Sequence, residues 1–403
     1  MLSAIIPANG NRSQLPSAGE RRTALPFPDP WILIPALLLL ALGLLMVASA
    51  SIPIGAHPKT GNGQPFFFLI RQGIFVLIGL FAAGVVFQIP MTRWRRAGPL
   101  LLLAAVGLLA AVLIPGIGKE VNGSIRWIGV GPINVQVSEI AKLFALVYVA
   151  DYLKRHGAEL QTSHFKTSAL ALGRPIAVLG VLAILLLLEP DFGSVIVLMA
   201  TALGMVFLAG VNIWQFMVLQ AGTATAMAVL LWSSPLRRAR LISFLDPWAD
   251  WQNSGYQLTQ SLIAIGRGEL FGVGLGESVQ KLFYLPEAHT DFLFAVLAEE
   301  LGLAGILLVI TLFMTLVWRA FKVAQRAERL DMQFSAWLAY GIGLWFGIQS
   351  LFNMGVNMGV LPTKGLTLPL MSYGGSSVVV MCVTLAVLMR IDVETRAGGV
   401  RSE

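Results

Sequence analysis

The chain has 403 residues, of which 56% are hydrophobic and only 12% charged, with a mean hydropathy of +0.77 and a formal net charge of +7. Soluble domains carry about a quarter charged residues, so this composition excludes an ordinary soluble fold, and it equally excludes disorder, coiled coil and collagen. Cys382 is the single cysteine and sits in an apolar run, which excludes a disulfide scaffold.

What remains is an all-α polytopic membrane protein, each span needing about 20 apolar residues. Its excess of basic residues follows from that class, because Lys and Arg crowd the inner loops of membrane proteins. They are dispersed in short loops without a reading module, so nucleic acid is not an expected partner.

Residues 1–30 are polar and read as a cytoplasmic N-terminal tail. The apolar run that follows is longer than a signal h-region and ends without a small-residue cleavage site, so it is a retained helix. Apolar runs predict about ten transmembrane helices, near 31–51, 66–88, 99–115, 138–153, 175–189, 192–210, 212–232, 290–318, 335–357 and 373–391. They form one transmembrane domain, 31–392, followed by a cytoplasmic C-terminal tail, 393–403. With both termini inside, seventeen basic residues fall in inner segments and nine in outer ones, the sense the positive-inside rule requires. Arg237, Arg238 and Arg240 run against it, following the seventh helix on the outer side.

Two connections stand out. Residues 116–137 mix Gly, Trp and charge and predict an ordered, turn-rich hairpin. Residues 233–289 form a large extracytoplasmic loop between helices 7 and 8, too rich in Trp and Tyr for disorder. Within it, 257–265 is amphipathic and predicts a helix lying in the membrane interface. Gly266, Gly268, Gly272, Gly274 and Gly276 lack the strand context of a dinucleotide motif and read as plain loop glycines. No internal repeat supports an inverted-repeat transporter.

Several chemistries are missing. There is no phosphate loop for ATP hydrolysis, no Cys/His spacing for zinc, no G-x-S-x-G elbow and no Asp-x-Asp pair. No metal site is expected, although an assisting divalent cation, Mg or Mn, is left open.

The informative residues are ionisable groups placed where lipid should be, since their cost makes them functional candidates. Arg71, beside Gln72, lies one to two turns into the second run, where a plain interfacial arginine would also fit. Ser138, Glu139 and Lys142 open the fourth run, where a capped helix with an internal ion pair is the simpler account. Glu189-Pro190-Asp191 joins the fifth and sixth runs, and a tight turn with a capping Asp explains it as well. Glu287, His289, Thr290 and Asp291 start the eighth run, with Glu299 and Glu300 two turns deeper, and together they exceed what capping needs. Asn353 and Asn357 lie in the ninth run, and LPTKGLTLPLMSYGGSS, carrying Lys364 and Ser372, predicts broken backbone lining a cavity. Cations beside a carboxylate in an apolar groove suit a lipid-linked diphosphate. Arg71 and Lys142 would take the phosphates and the carboxylate a proton.

VNGSIRWI (121–128), QVSEIAK (136–142), EPDFGS (189–194), the stretch 272–302 containing LPEAHTDF, and GVLPTKGLTLPLMSYGGSS (359–377) resemble the SEDS family of bacterial cell-wall polymerases. The resemblance covers about 31–392. NGSIRW, DPWAD (246–250) and Ala288 place the chain nearer the division branch than the elongation branch, and Val137 departs from a usual proline. It implies a peptidoglycan glycosyltransferase of the bacterial inner membrane that polymerises lipid II at the septum and releases undecaprenyl diphosphate. Asp291 matches the essential aspartate, Arg71 with Gln72 the arginine of the second span, Lys142 the lysine of the fourth and Asp191 the buried aspartate after the fifth. Glu139, Glu287, His289, Thr290, Lys364 and Ser372 complete the candidate substrate-binding set. The implied partners are a class B penicillin-binding protein transpeptidase and other membrane proteins of the division complex. A lipid II flippase and a non-catalytic scaffold are the rival expectations.

Overall fold

The computed structural model describes residues 27–58, 63–121, 124–131, 133–162, 165–363 and 365–398. All ten predicted runs lie in helices: α1 (Pro30–Ala56), α2 (Phe67–Phe87), α3 (Met91–Val112), α4 (Val137–Leu160), α5 (Phe165–Leu188), α6 (Phe192–Leu208), α7 (Ile213–Trp232), α10 (Leu293–Arg329), α11 (Gln333–Asn357) and α12 (Gly375–Arg396). Seven of these, α1, α2, α3, α5, α7, α10 and α12, are long and apolar enough to cross a membrane. The shorter α6 and the more polar α4 and α11 pack at the centre, where protein replaces lipid as solvent. Several helices begin earlier or end later than the hydropathy did. α3 starts at Met91 and α5 at Phe165, taking in Arg93, Arg95, Arg96 and Lys166, because a helix continues into water after its apolar stretch ends.

Pairs α10/α11, α2/α12, α3/α4 and α1/α10 form the framework. At one end of the bundle the two described chain ends meet. Arg396 Nη2 donates to Phe27 O at 2.8 Å, Asp392 accepts from Arg326 at 2.9 Å and from Arg396, and Asp29, the N-cap of α1, pairs with Arg319. The interhelical connections that carry the candidate site gather at the other end.

At that end the 116–137 segment forms three strands rather than a hairpin: β1 (Gly118–Val121), β2 (Ser124–Val130) and β3 (Ile133–Gln136), antiparallel in the order β1-β2-β3, with Trp127 opposite both Lys119 and Gln136. The 233–289 stretch holds two helices, α8 (Pro235–Leu245) and α9 (Tyr256–Gly268). α9 does not lie loose in the interface. It packs on α10, with Gly268 against Ala298, and its buried Ser261 hydroxyl donates to Asn357 O of α11 at 2.8 Å.

The predicted eighth span is not one straight helix. At Gly302 (φ 64°, ψ −159°) α10 breaks and restarts. A break inside a membrane protein frees backbone groups that must find partners. The chain after α9 supplies them: Val273 N donates to Glu299 O (3.0 Å) and Gly274 N to Glu300 O (3.2 Å), while Leu303 N and Ala304 N donate to Glu269 O (2.9 Å) and Leu270 O (3.1 Å). Gly268 and Gly272 are therefore not plain loop glycines, since a Cβ on either would collide with α10 backbone. The two buried carboxylates at the break clamp the same segment. Glu299 takes Arg267 (2.8 Å), Ser278 Oγ and Val279 N (3.2 Å), and Glu300 takes Lys281 (2.9 Å) and Ser49 of α1 (2.6 Å).

Two glycines separate steric from conformational cost. Gly276 (φ +86°) has open space around its would-be Cβ, so Gly276→Ala costs only the left-handed penalty of about 1–2 kcal/mol. Gly272→Ala (φ +80°) adds a clash with the Glu300 carbonyl and should lower the thermal midpoint in detergent by clearly more than Gly276→Ala does. Equal midpoints would show that the plug in the α10 break tolerates displacement.

Candidate functional site

Asp291 stands two residues before α10 on a tight turn. Glu287 O, at a residue with φ 56°, accepts from Thr290 N (3.1 Å) and Phe292 N (3.2 Å), and Thr290 Oγ1 donates to Glu287 Oε2 at 2.7 Å. The backbone of Asp291 is held from the far side: its carbonyl accepts from Asn353 Nδ2 (2.9 Å) and Asn357 Nδ2 (3.0 Å). Asn353 also donates to Leu366 O (2.5 Å), and Asn357 Oδ1 accepts from Ala295 N (3.1 Å) in the first turn of α10. The two asparagines thus bind the turn, α10 and the 359–374 segment into one unit.

The Asp291 side chain, by contrast, accepts no hydrogen bond among the described residues. Gly365 lies against it, since a Cβ there would sit 3.3 Å from Oδ2. Burial pushes the Asp291 carboxyl up to about 7; Glu287 and Asp191 act in the same direction, and Arg126 and Arg240 oppose it.

The remaining candidates divide between partners of that turn and parts of the frame. His289 O accepts from Tyr373 N at 2.9 Å, and its ring packs edge-on against Phe68 (4.9 Å) and tilted against Tyr373 (5.3 Å). Burial holds this imidazole below its ordinary value, and its Nδ1 has no partner among the described residues. Gln72 Nε2 donates to Ser372 O (3.1 Å), and Gly374 N donates back to Gln72 Oε1 (3.4 Å). Arg71, half-buried, lies close enough to Tyr373 for its charge to act on it. Ser372 Oγ is occupied, accepting from Leu368 N (2.9 Å) to close its own turn. Lys364 lies outside the described residues.

Lys142 and Glu139 do not open onto this turn. Lys142 is fully buried, with Nζ 2.8 Å from Glu139 Oε1 and 3.0 Å from Gln349 Oε1, over the Trp345 ring at 5.2 Å. It ties α4 to α11 and presents no surface to a substrate. Gln349 passes the constraint on, its Nε2 donating to Thr367 O at 3.1 Å. Gln349, Asn353 and Asn357, four residues apart on one face of α11, form a polar ladder running from Lys142 to Asp291.

Asp191 caps α6, accepting from Ser194 N (3.2 Å) and Ser194 Oγ (2.8 Å), and lies 4.0 Å from Arg126. Arg126 is a site residue that sequence reasoning misses. It projects from β2 to Pro190 O (2.6 Å) and Glu189 O (3.4 Å), and its charge reaches Asp291. The signal is there: it is the one charged residue of the VNGSIRWI block. Arg240, too, stands out in the sequence only as a topological misfit. Among the described residues no group of three or more His, Cys, Asp or Glu is placed to hold a metal ion.

The sequence pattern of the FtsW/RodA/SpoVE cell cycle proteins matches residues 30–397. The chain belongs to this family. It is similar to the probable peptidoglycan glycosyltransferase FtsW of Nitrosococcus halophilus, 55% identical over 371 residues that span 92% of this chain and 94% of the relative. The protein of the same name from Coxiella burnetii is 52% identical over 91% of this chain and 96% of its own length. Among solved structures, the fold resembles a chain of a peptidoglycan synthase complex that coordinates polymerization and crosslinking, with a TM-score of 0.72 at 28% identity over 92% of this chain and 98% of that one. It also resembles the Rod shape determining protein RodA of Thermus thermophilus, with a TM-score of 0.66 at 27% identity over 91% and 97%. Family and fold agree on a multi-pass helical membrane protein.

The buried Lys142–Glu139 pair makes a testable distinction. Lys142→Met leaves an uncompensated carboxylate and should destabilise by about 3–5 kcal/mol, while Lys142→Met combined with Glu139→Leu should recover most of the loss. Thermal unfolding of the three proteins in one detergent decides it. A Lys142→Met protein as stable as wild type would mean the pair does not hold α4 to α11.

Proposed function

We propose that this chain is a peptidoglycan glycosyltransferase that polymerises lipid II during septal cell-wall synthesis, with Asp291 as its catalytic base. The observation that carries the assignment is the Asp291 carboxylate: rigidly mounted, uncommitted to any hydrogen bond among the described residues, and brought to about 7 by its surroundings. The names carried by relatives about half identical to it support the reaction class.

In this reading the 4-hydroxyl of one lipid-linked disaccharide attacks the anomeric carbon of another chain. The new glycosidic bond forms as the bond to the diphosphate oxygen breaks, and undecaprenyl diphosphate leaves with its electron pair. A sugar hydroxyl is a poor nucleophile, so its proton must pass to a base as attack proceeds, a contribution of about a hundred- to ten-thousand-fold. A carboxyl titrating near 7 suits that task better than one near 4. Arg71, whose charge acts on Tyr373, and Arg126, whose charge acts on Asp291, would supply positive charge for the phosphates. Any divalent cation would act on those same phosphates.

The orientation follows the basic count. The end of the bundle where the chain ends meet faces the cytoplasm, and the Asp291 end faces outward, where lipid II headgroups are polymerised. Class B transpeptidase and other membrane proteins of the division complex are the partners of this reading. Cysteine at the exposed Gln252 is expected to react with an impermeant maleimide in intact spheroplasts. Reaction only after lysis would reverse the topology.

Asp291→Asn should leave a folded protein that makes no glycan polymer from labelled lipid II. Wild-type turnover should rise with pH through about 7 as the base form accumulates. Stability moves the other way. The folded protein keeps until about 7 a proton that the unfolded chain, with a carboxyl near 3.8, has already released, so stability falls as pH rises between those values and the Asn variant loses that slope. Polymer at the wild-type level from Asp291→Asn would reduce Asp291 to a turn residue. Lipid II moved across vesicles without polymer would favour a flippase.

A further inference from the structure

Charged side chains gather in a second place, at the end of the bundle where the chain ends meet. A cleft of about 220 Å³ opens there between the end of α4 and the start of α5, lined by Glu159, Lys166, Thr167, Leu170, Ala171 and Arg174. The α5 residues recur every three to four positions and so form one face of that helix, with Leu170 between the two cations and Glu159 contributed by α4. Glu159, Lys166 and Arg174 are exposed, and none of them enters an ion pair among the described residues. The back wall of the cleft is fixed. Pro175 has no N–H to give the Ala171 carbonyl, and the Tyr152 phenol of α4 donates to it instead at 2.5 Å.

Its depth is fixed as well. Ser168, within the α5 stretch that lines the cleft, donates to Gln215 Oε1 at 2.7 Å, which sets this part of α5 level with the first turn of α7. The residue before Gln215, Trp214, is exposed, as are Ile213 and Phe207. Exposed tryptophan at the end of an apolar span marks the headgroup zone of a bilayer. Leu170 is exposed beside the cleft, so acyl chains have a surface to lie on. The cleft thus stands where lipid headgroups stand, in the inner leaflet of the orientation proposed above. Its volume is below the roughly 300 Å³ at which pockets begin to enclose drug-sized ligands, so it suits a headgroup and not a nucleotide or a peptide.

We propose that this cleft binds a phosphoethanolamine lipid headgroup, with Lys166 and Arg174 supplying cations for the phosphate and Glu159 the anion for the ammonium. Basic pockets between membrane helices take anionic headgroups through their cations. Here the carboxylate in the lining repels a lipid of net negative charge and favours one that brings an ammonium. Charge-assisted bonds from Lys166 and Arg174 hold the phosphate, and the Thr167 hydroxyl is a further donor for it. A headgroup held in this way joins α4 to α5 across their short connection. The site is independent of what Asp291 does.

The test is lipid binding to the full-length protein in detergent, read as Kd by native mass spectrometry, with phosphatidylethanolamine, phosphatidylglycerol and soluble O-phosphoethanolamine as probes. Wild type should prefer the ethanolamine lipid to the glycerol lipid about two- to fivefold, the scale of one solvent-exposed ion pair. Glu159→Gln should abolish that preference and Glu159→Lys reverse it, whereas Lys166→Gln and Arg174→Gln should weaken both lipids alike. Lys322→Gln, which removes an exposed cation of α10 at the same end of the bundle, should change nothing. The proposal is overturned if wild type binds the two lipids equally, or if Glu159→Gln keeps the preference. It is overturned equally if neither Lys166→Gln nor Arg174→Gln weakens binding, or if Lys322→Gln weakens it as much as they do. O-phosphoethanolamine bound as tightly as the lipid would overturn the membrane assignment, since the apolar surface at Leu170 would then contribute nothing. Thermal midpoints of the variants exclude misfolding, and Lys166→Gln carries the cation comparison should Arg174→Gln be unstable.

Discussion

The grip of two asparagine amides on the Asp291 carbonyl is the contact on which the rest of the site depends. Inside a membrane protein an amide cannot fall back on water, so each one fixes whatever it bonds. Asn353 and Asn357 each bond more than one segment: the Asp291 turn, the first turn of α10, and the return segment through Leu366. One turn further along α11, Gln349 holds Thr367 O and the buried Lys142. The polar face of α11 therefore sets the relative position of α4, α10 and the 359–374 segment, and the carboxylate is placed as a consequence. Loosening one rung leaves several buried groups unsatisfied at once, each costing about 1–3 kcal/mol.

The break at Gly302 depends on the same logic with backbone in place of side chains. α10 packs against both α9 and α11, and the 269–274 backbone takes up the groups that the break frees. Glu299 and Glu300 are at the kink because the plug needs acceptors for Arg267, Ser278 and Lys281 in a place without water. Ser49 links that plug to α1, so the first helix of the chain also braces the site.

Hydropathy alone reveals the ten helices, since an apolar run of about 20 residues matches the thickness of a bilayer and little else in so uncharged a chain. The amphipathic pattern of 257–265 adds α9, but nothing reveals α8, which carries too little apolar sequence, or the helix break, because Gly302 looks like any other glycine until its φ is known. Asp291 stands out because four polar residues in five exceed what a helix start needs. Lys142 leaves two readings open in the sequence for an instructive reason. A buried lysine that binds a phosphate and one that neutralises a glutamate three residues away carry the same local sequence, and the deciding partner, Gln349, lies 207 residues further on. Arg126 escapes notice for the converse reason, sitting in a strand where charge is cheap. The strongest sequence signals are blocks such as LPEAHTDF and GLTLPLMSYGGSS, whose residues prove to bond to one another: Tyr373 N meets His289 O at 2.9 Å.

The distribution of commitments then separates framework from chemistry. At the Asp291 end Gln72, Ser372, Asn353, Asn357, Glu299, Glu300, Lys281 and Lys142 are all engaged within the protein. These bonds make up the frame in which the Asp291 turn is held. Among the described residues the exceptions include the Asp291 carboxylate, the Glu189 carboxylate and His289 Nδ1, none of which has a hydrogen-bond partner. A carboxylate without a donor has a physical cost: Asp291 is desolvated, and its carboxyl rises to about 7. Its backbone is held by two amides while its side chain has no donor among the described residues, an arrangement that suits the proton-accepting role proposed for it.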